Sequence, residues 1–300
     1  MIRAAGASTN ARIGVIVETL SSFPDLKANN YIDEYIYAKL RKFHIPPSAL
    51  SSDEDFMRRV CLDLCGTLPP AAKVREFLDD PDPGKREKLI ELLMETPEFV
   101  DYWVYRFSDL FRVRVGGGTN HGELYWEWIR QSIATNKPYD QIARERLSAQ
   151  GWGGPGRHFM WGSKRRPIEA LVSEDAQVFL GRRLDCAQCH NHPYETRSQR
   201  QFWGLAAFYG KITQTEWVND QIVYDDPDGQ EYDWGELGRH EVEFKQVLNP
   251  RTKEPVTPAF FDGTDISPAH QRDPRMALAN WMTSHPWFSE AAVNRMWGYF

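Results

Sequence analysis

Cys186-Ala187-Gln188-Cys189-His190 sets two thiols three positions apart, with a histidine directly after the second. That is the spacing of a c-type haem attachment sequence. Each thiol adds across one vinyl group at the porphyrin edge, so the two sulfurs must stand about one helical turn apart. The next residue then carries a neutral imidazole over the ring, where a nitrogen can bind iron as proximal ligand. On this reading Cys186 and Cys189 hold haem c and His190 ligates it. Arg182 and Arg183, just upstream, have guanidinium forks that suit the haem propionates, or else complement the C-terminal dipole of a helix.

The same few residues admit other chemistry. Cys186, Cys189, His190 and His192 together have the donor set of a tetrahedral zinc or iron site, drawn from seven consecutive residues. His192 is otherwise a hydrogen-bonded turn residue ahead of Pro193. A sixth ligand for haem iron would come from Met160, His158 or His121, each in a loop long enough to fold over. Without one, a five-coordinate haem favours ligand binding over pure electron transfer. Cys61 and Cys65 lie four apart and share one helix face. They read as small buried hydrophobes, or as partners of Cys186 and Cys189 in a four-thiolate zinc site.

Bulk properties narrow the class. A net charge of −6 over 300 residues, with 41% hydrophobic and 26% charged residues, describes a globular protein whose main partner is not nucleic acid. Four cysteines do not make a disulfide framework at this length. No run approaches the roughly 18 apolar residues of a membrane span. The apolar run Ile13 to Val17 is too short for a secretion signal. Covalent haem attachment takes place outside the cytoplasm, so the chain reads as a piece of a longer exported precursor, periplasmic or of the cell envelope. The helical pattern through Trp297, which meets no stop signal before Phe300, agrees with that reading. The eleven tryptophans read as core residues between helices, with sugar stacking or haem shielding as the alternative.

The elements that must carry the motif are mostly helical. Apolar residues recur at helical spacing over Tyr31 to Leu40, Asp53 to Leu64, Val74 to Leu78, Lys88 to Leu93, Phe99 to Val113, Leu124 to Ile133 and Tyr139 to Leu147. Gly116 to Gly118 reads as a hinge, and residues 151–156 as a loop. From Pro167 the pattern is helical through Leu180, which delivers the motif just after a helix end. Glu169, Glu174 and Asp175 on that helix read as a solvated face. Ser198 caps a further helix. Between Lys211 and Asp265 the residues Ile212, Val218, Ile222 to Tyr224 and Val242 to Phe244 alternate like strands, broken by acidic turns such as Asp225 to Gly229. Met276 to Ser284 and Phe288 to Phe300 form a closing helix pair.

Several of these stretches together resemble a known family, the planctomycete cytochrome-c-like domain family of unknown function. The segments that carry the resemblance are Ile32 to Leu40, Arg58 to Pro69, Trp126 to Arg130 with Lys137 to Asp140, Phe179 to Gly181, Cys186 to Tyr194 and Phe202 to Phe208. Asp273 to Arg275 and Val293 to Trp297 resemble the junction with the second planctomycete-specific domain that typically follows. The resemblance covers roughly residues 30–300 and implies a large, exported, mostly helical protein without an assigned activity.

The expectation is thus a mainly α multi-helix domain, with the CxxCH motif after a helix and a small β-rich insertion. Its divisions are a flexible segment over residues 1–29, a helical cytochrome-like domain over 30–210, the insertion over 211–268, and the truncated helical start of a following domain over 269–300. The expected role is electron transfer with a redox partner protein, through haem at Cys186 and Cys189 ligated by His190. The alternatives are a zinc- or iron-dependent envelope enzyme built on Cys186, Cys189, His190 and His192, acting on extracellular glycans, and an interaction domain with structural cysteines.

Overall fold

The structure, a computed structural model, describes all residues except 1, 5–6, 10–13, 17, 114–120, 151–153, 162–163, 193–196, 211, 218–219, 226–246, 265 and 267–272. The glycine hinge at Gly116 to Gly118, the segment Val242 to Phe244 and the side chains of His121 and Met160 lie outside the described residues.

The chain divides into two units, Met1–Met57 and Arg58–Phe300. In the first, β1 (Ile2–Ala4) pairs antiparallel with β2 (Ala7–Thr9). Helix α1 (Tyr31–Lys42) starts where the Asn30 side chain accepts from the Ile32 N–H at 2.8 Å. That bond satisfies one of the unpaired amides at a helix start. Acidic residues in its first turn and Lys39, Arg41 and Lys42 in its last complement the helix dipole. Helix α2 (Asp53–Cys65) runs across the division.

The second unit holds the motif. Its helices are α3 (Ala71–Asp79), α4 (Lys85–Met94), α5 (Pro97–Leu110), α6 (His121–Ala134), α7 (Tyr139–Leu147), α8 (Ile168–Leu180), α9 (Gln199–Ala206), α10 (Pro274–Ser284) and α11 (Pro286–Trp297). Proline in the first turn of α5, α10 and α11 supplies a preset φ where no amide bond is lost. Residues from α5 to α10 share one core, in which Val104, Phe111, Ile129, Leu147, Leu171, Phe179, Phe202, Phe208 and Leu278 are all buried. Helix α8 lies among α9, α10 and α11. Leu171 to Ala176 and Val178 to Leu180 are all buried, so most of its circumference faces protein. The mainly α reading holds.

The β-rich insertion does not. Among the described residues of 211–268 there is one antiparallel ribbon, β5 (Ile212–Trp217) with β6 (Asp220–Asp225), and one isolated bridge, Leu248 with Pro255. Alternation over five or six residues marks locally extended chain. A β-rich unit needs a third strand or a helix to cover its apolar face, and the described residues supply no such sheet. Upstream, β3 (Met160–Trp161) and β4 (Lys164–Arg165) form another two-stranded pair. Among the described residues no helix is long and apolar enough to cross a membrane.

Candidate functional site

The approach to the motif begins at the end of α8. Gly181 has φ +64°, the left-handed conformation that stops a helix, and the Arg182 N–H turns back to the Ala176 carbonyl at 3.1 Å. Leu184 is then buried, and a 3-10 turn over Asp185–Gln188 follows. Cys186 lies in the turn and Cys189 caps its end, its N–H returning to the Cys186 carbonyl; both are exposed free thiols, while Ala187 between them is buried. His190 follows directly and is exposed. Its Nδ1 lies 2.7 Å from the Asn191 carbonyl. A carbonyl only accepts, so Nδ1 carries the hydrogen, and the Nε2 lone pair has no partner among the described residues.

Helix α9 holds the turn from the other side. Gln199 Nε2 donates to the Gln188 and Cys189 carbonyls at 3.0 Å each, and Trp203 Nε1 donates to the Gln188 carbonyl at 3.0 Å. The Asn191 side chain accepts from the Gln199 N–H at 3.0 Å. The start of α9 is itself secured by a reciprocal Ser198–Gln201 capping box. On the motif's inner side, the Gln188 amide donates to Ser173 Oγ on α8 at 3.2 Å. His192 gives its N–H to the Arg197 carbonyl at 2.7 Å. Arg183 is exposed beside the turn. Arg182 is turned towards α11, its guanidinium 4.3 Å from the Trp287 ring centre and 4.0 Å from Glu290. The Trp287 ring also carries Arg197, at 4.4 Å.

The structure brings together a second set of residues, most of which sequence reasoning left unassigned. Arg146 on α7 is fully buried, and it donates to Tyr125 on α6, Asp175 and Glu174 on α8 and His158 at 2.8, 2.5, 2.8 and 2.8 Å. Arg166 donates to Glu174 Oε2 at 2.6 Å and to the His158 carbonyl at 3.1 Å. Tyr209 donates to Asp175 at 2.6 Å. The Arg146 guanidinium also lies 4.8 and 5.3 Å from the Phe111 and Phe179 rings. Arg112 reaches Glu174 from the solvent side at 3.7 Å. Glu174 and Asp175 are thus not a solvated face; they are buried on α8 among apolar residues, where carboxylates stand only when paired. Nor is His158 a loop residue free to fold over a haem; it is buried among these charges with both ring nitrogens engaged.

Electrostatics in the cluster follows from that arrangement. Burial, reinforced by Arg146, pushes His158 down to about 4, so its ring is neutral. Nδ1 faces arginine donors and accepts, which leaves the Nε2 hydrogen for Asp175, 3.1 Å away. Burial works against the charge on Asp175, yet His158, Arg146 and Tyr209 hold its carboxyl well below the ordinary carboxylate range. Glu174 is lowered likewise, against its own burial, mainly by Arg146. Burial raises Tyr125 to about 12 and Tyr209 well above its usual value. His158, Glu174 and Asp175 are the one group of three candidate donors within 4.8 Å of one another among the described residues. Their lone pairs are already engaged by two guanidiniums and a phenol, and a metal ion would have to displace all three. The cluster is a closed ion-pair network joining α6, α7 and α8.

Cys61 and Cys65 are buried on α2, where burial raises both thiols. They do not join Cys186 and Cys189 in a donor group. Comparison with family models matches residues 31–214 to the family described as PSCyt2, protein of unknown function (DUF1549). No curated protein and no solved structure gives a match. The matched stretch spans well over half the chain and includes the CxxCH turn with the α7–α8 ion-pair network. The chain therefore belongs to PSCyt2, a planctomycete cytochrome-c-like family of unknown function.

Proposed function

We propose that the chain is a haem c module that passes electrons to a partner protein in an exported, periplasmic or envelope setting. The observation that carries this reading is the 3-10 turn. It carries the free, exposed thiol of Cys186, ends at that of Cys189, and leads to His190, an imidazole whose Nδ1 is engaged and whose Nε2 is open. The residues present fit the group: thiols that must react need exposure, and a proximal histidine needs its other nitrogen tied down. Each thiol would add across a porphyrin vinyl group, sulfur to one carbon and hydrogen to the other, so no oxidant is consumed. When bound, the haem supplies a one-electron couple.

The chain's own residues supply the rest. Leu184 and Ala187 anchor the turn, Cys186 and Cys189 present sulfur, and His190 offers Nε2. Arg183, exposed at the turn, and Arg182 are the proposed propionate partners, because guanidinium forks match carboxylates. A zinc or iron site at Cys186, Cys189, His190 and His192 is the competing use of the motif. No three of those donors gather within 4.8 Å, so that use requires the loop to close further. A second planctomycete-specific domain following in the same chain completes the proposal.

The test is protein exported from a host with haem-attachment machinery, denatured and examined by pyridine haemochrome spectrum and intact mass. A c-type spectrum with a retained haem mass supports the reading. A colourless protein at apo mass ends it, and metal analysis of that sample then decides the competing use.

A further inference from the structure

The CxxCH turn is a single 3-10 turn whose two thiols are exposed. The Gln188 and Cys189 carbonyls at its end are both taken. The Gln199 amide has two hydrogens on one nitrogen, and it reaches two consecutive carbonyls, Gln188 and Cys189, at 3.0 Å each. Trp203, one helical turn further along α9, gives a second donor to Gln188 at 3.0 Å. The backbone amide of the same Gln199 is bound by Asn191, the residue between His190 and His192. Four contacts thus run from two side chains and one amide of α9 to the stretch Gln188–Asn191. They fix the peptide joining Cys189 to His190, and with it the direction in which sulfur and imidazole leave the backbone.

We infer that Gln199 and Trp203 are positioning residues that hold the CxxCH turn ready for attachment at both thiols. Neither touches the reacting atoms; both act through the Gln188 and Cys189 carbonyls. The inference rests on the haem reading for its purpose, but the holding itself is independent of haem.

The experiment compares Gln199→Leu and Trp203→Phe with the native chain and with Arg200→Ala, an exposed position on the same stretch of α9 that leaves the two donors and the cap in place. Trp203→Phe keeps a ring in the buried site and removes only the N–H donor. Amide hydrogen exchange over residues 186–190 is read on the apo protein. The ratio of singly to doubly attached chains is read by peptide mass on protein from the haem-attaching host. The expected result is about tenfold faster exchange confined to the turn in the two donor variants, and a several-fold rise in single attachment. Arg200→Ala should leave both near native. Native exchange in the donor variants, or equal loosening by Arg200→Ala, overturns the inference. A native chain that takes no haem while the donor variants still loosen the turn overturns the haem reading instead.

Discussion

Arg146 and Asp175 are both buried out of reach of solvent and meet Nη1 to Oδ1 at 2.5 Å. Arg146 binds Glu174 on the next α8 position as well, so one guanidinium clamps two consecutive carboxylates from the neighbouring helix. Removing one partner of a buried pair strands the others without water. Arg146→Leu is therefore expected to cost about 3–5 kcal/mol in unfolding free energy, read from urea midpoints. Arg146→Lys keeps the charge but loses the fork, and it should fall between the two. A loss for Arg146→Leu below about 1 kcal/mol would show that the clamp contributes little.

The same cluster makes stability depend on pH. His158 is lowered from 6.5 to about 4 in the folded protein, so the unfolded chain binds the extra proton first. Folding stability is then full above pH 6.5 and falls as the pH drops towards 4. The full difference is about 3 kcal/mol at 1.36 kcal/mol per pKa unit. Glu174 and Asp175, both lowered, add a further loss below about pH 4, where their unfolded forms take up protons. His158→Gln should flatten the profile between pH 6.5 and 4 and leave the acid limb. An unchanged slope in that variant would remove His158 as its source.

Gly181 ends α8 at φ +64°, and a Cβ there would lie 3.2 Å from the Ala291 Cβ on α11. Gly181→Ala combines left-handed strain with a close contact, and about 1–2 kcal/mol of destabilisation is expected. Thermal unfolding of the apo protein checks it. Because Arg182 and the motif follow immediately, the variant should also speed amide exchange over residues 182–190.

Cys186→Ala and Cys189→Ala separate the two thiols. Each single variant should keep one thioether and show a reduced haem yield, and the double variant should carry no covalent haem on a denaturing gel stained for haem. His190→Ala should keep covalent attachment and change the absorption spectrum, since it removes a ligand and no thiol. Covalent haem in the double variant would place the attachment elsewhere.

The donor set at the motif could be read from spacing alone. Two residues between the thiols and a histidine directly after are local facts, and a 3-10 turn forms at that point of the chain. The helical content was legible for the same reason. Apolar residues at helical spacing, proline at first turns and Ser198 at a cap act within one or two turns of chain, and α8 and α9 form where those signals stand. The strand-like alternation of Ile212 and Ile222 to Tyr224 was also local. A ribbon becomes a β-rich unit only if something distant covers it, and alternation says nothing about that.

What only the tertiary structure decided is which side chains lose water. Glu174 and Asp175 stand in the sequence like any pair of acids on a helix, and Arg146 like any arginine at a helix end. Their partners come from residues 12 to 34 positions away, on helices whose packing no local pattern specifies. The same holds for Gln199 and Trp203. Their hydrogen bonds to the Gln188 and Cys189 carbonyls exist because α9 folds back across the motif. Spacing along the chain sets which chemistry is available. Burial and long-range hydrogen bonding set which groups are charged, which are held, and which remain open to react.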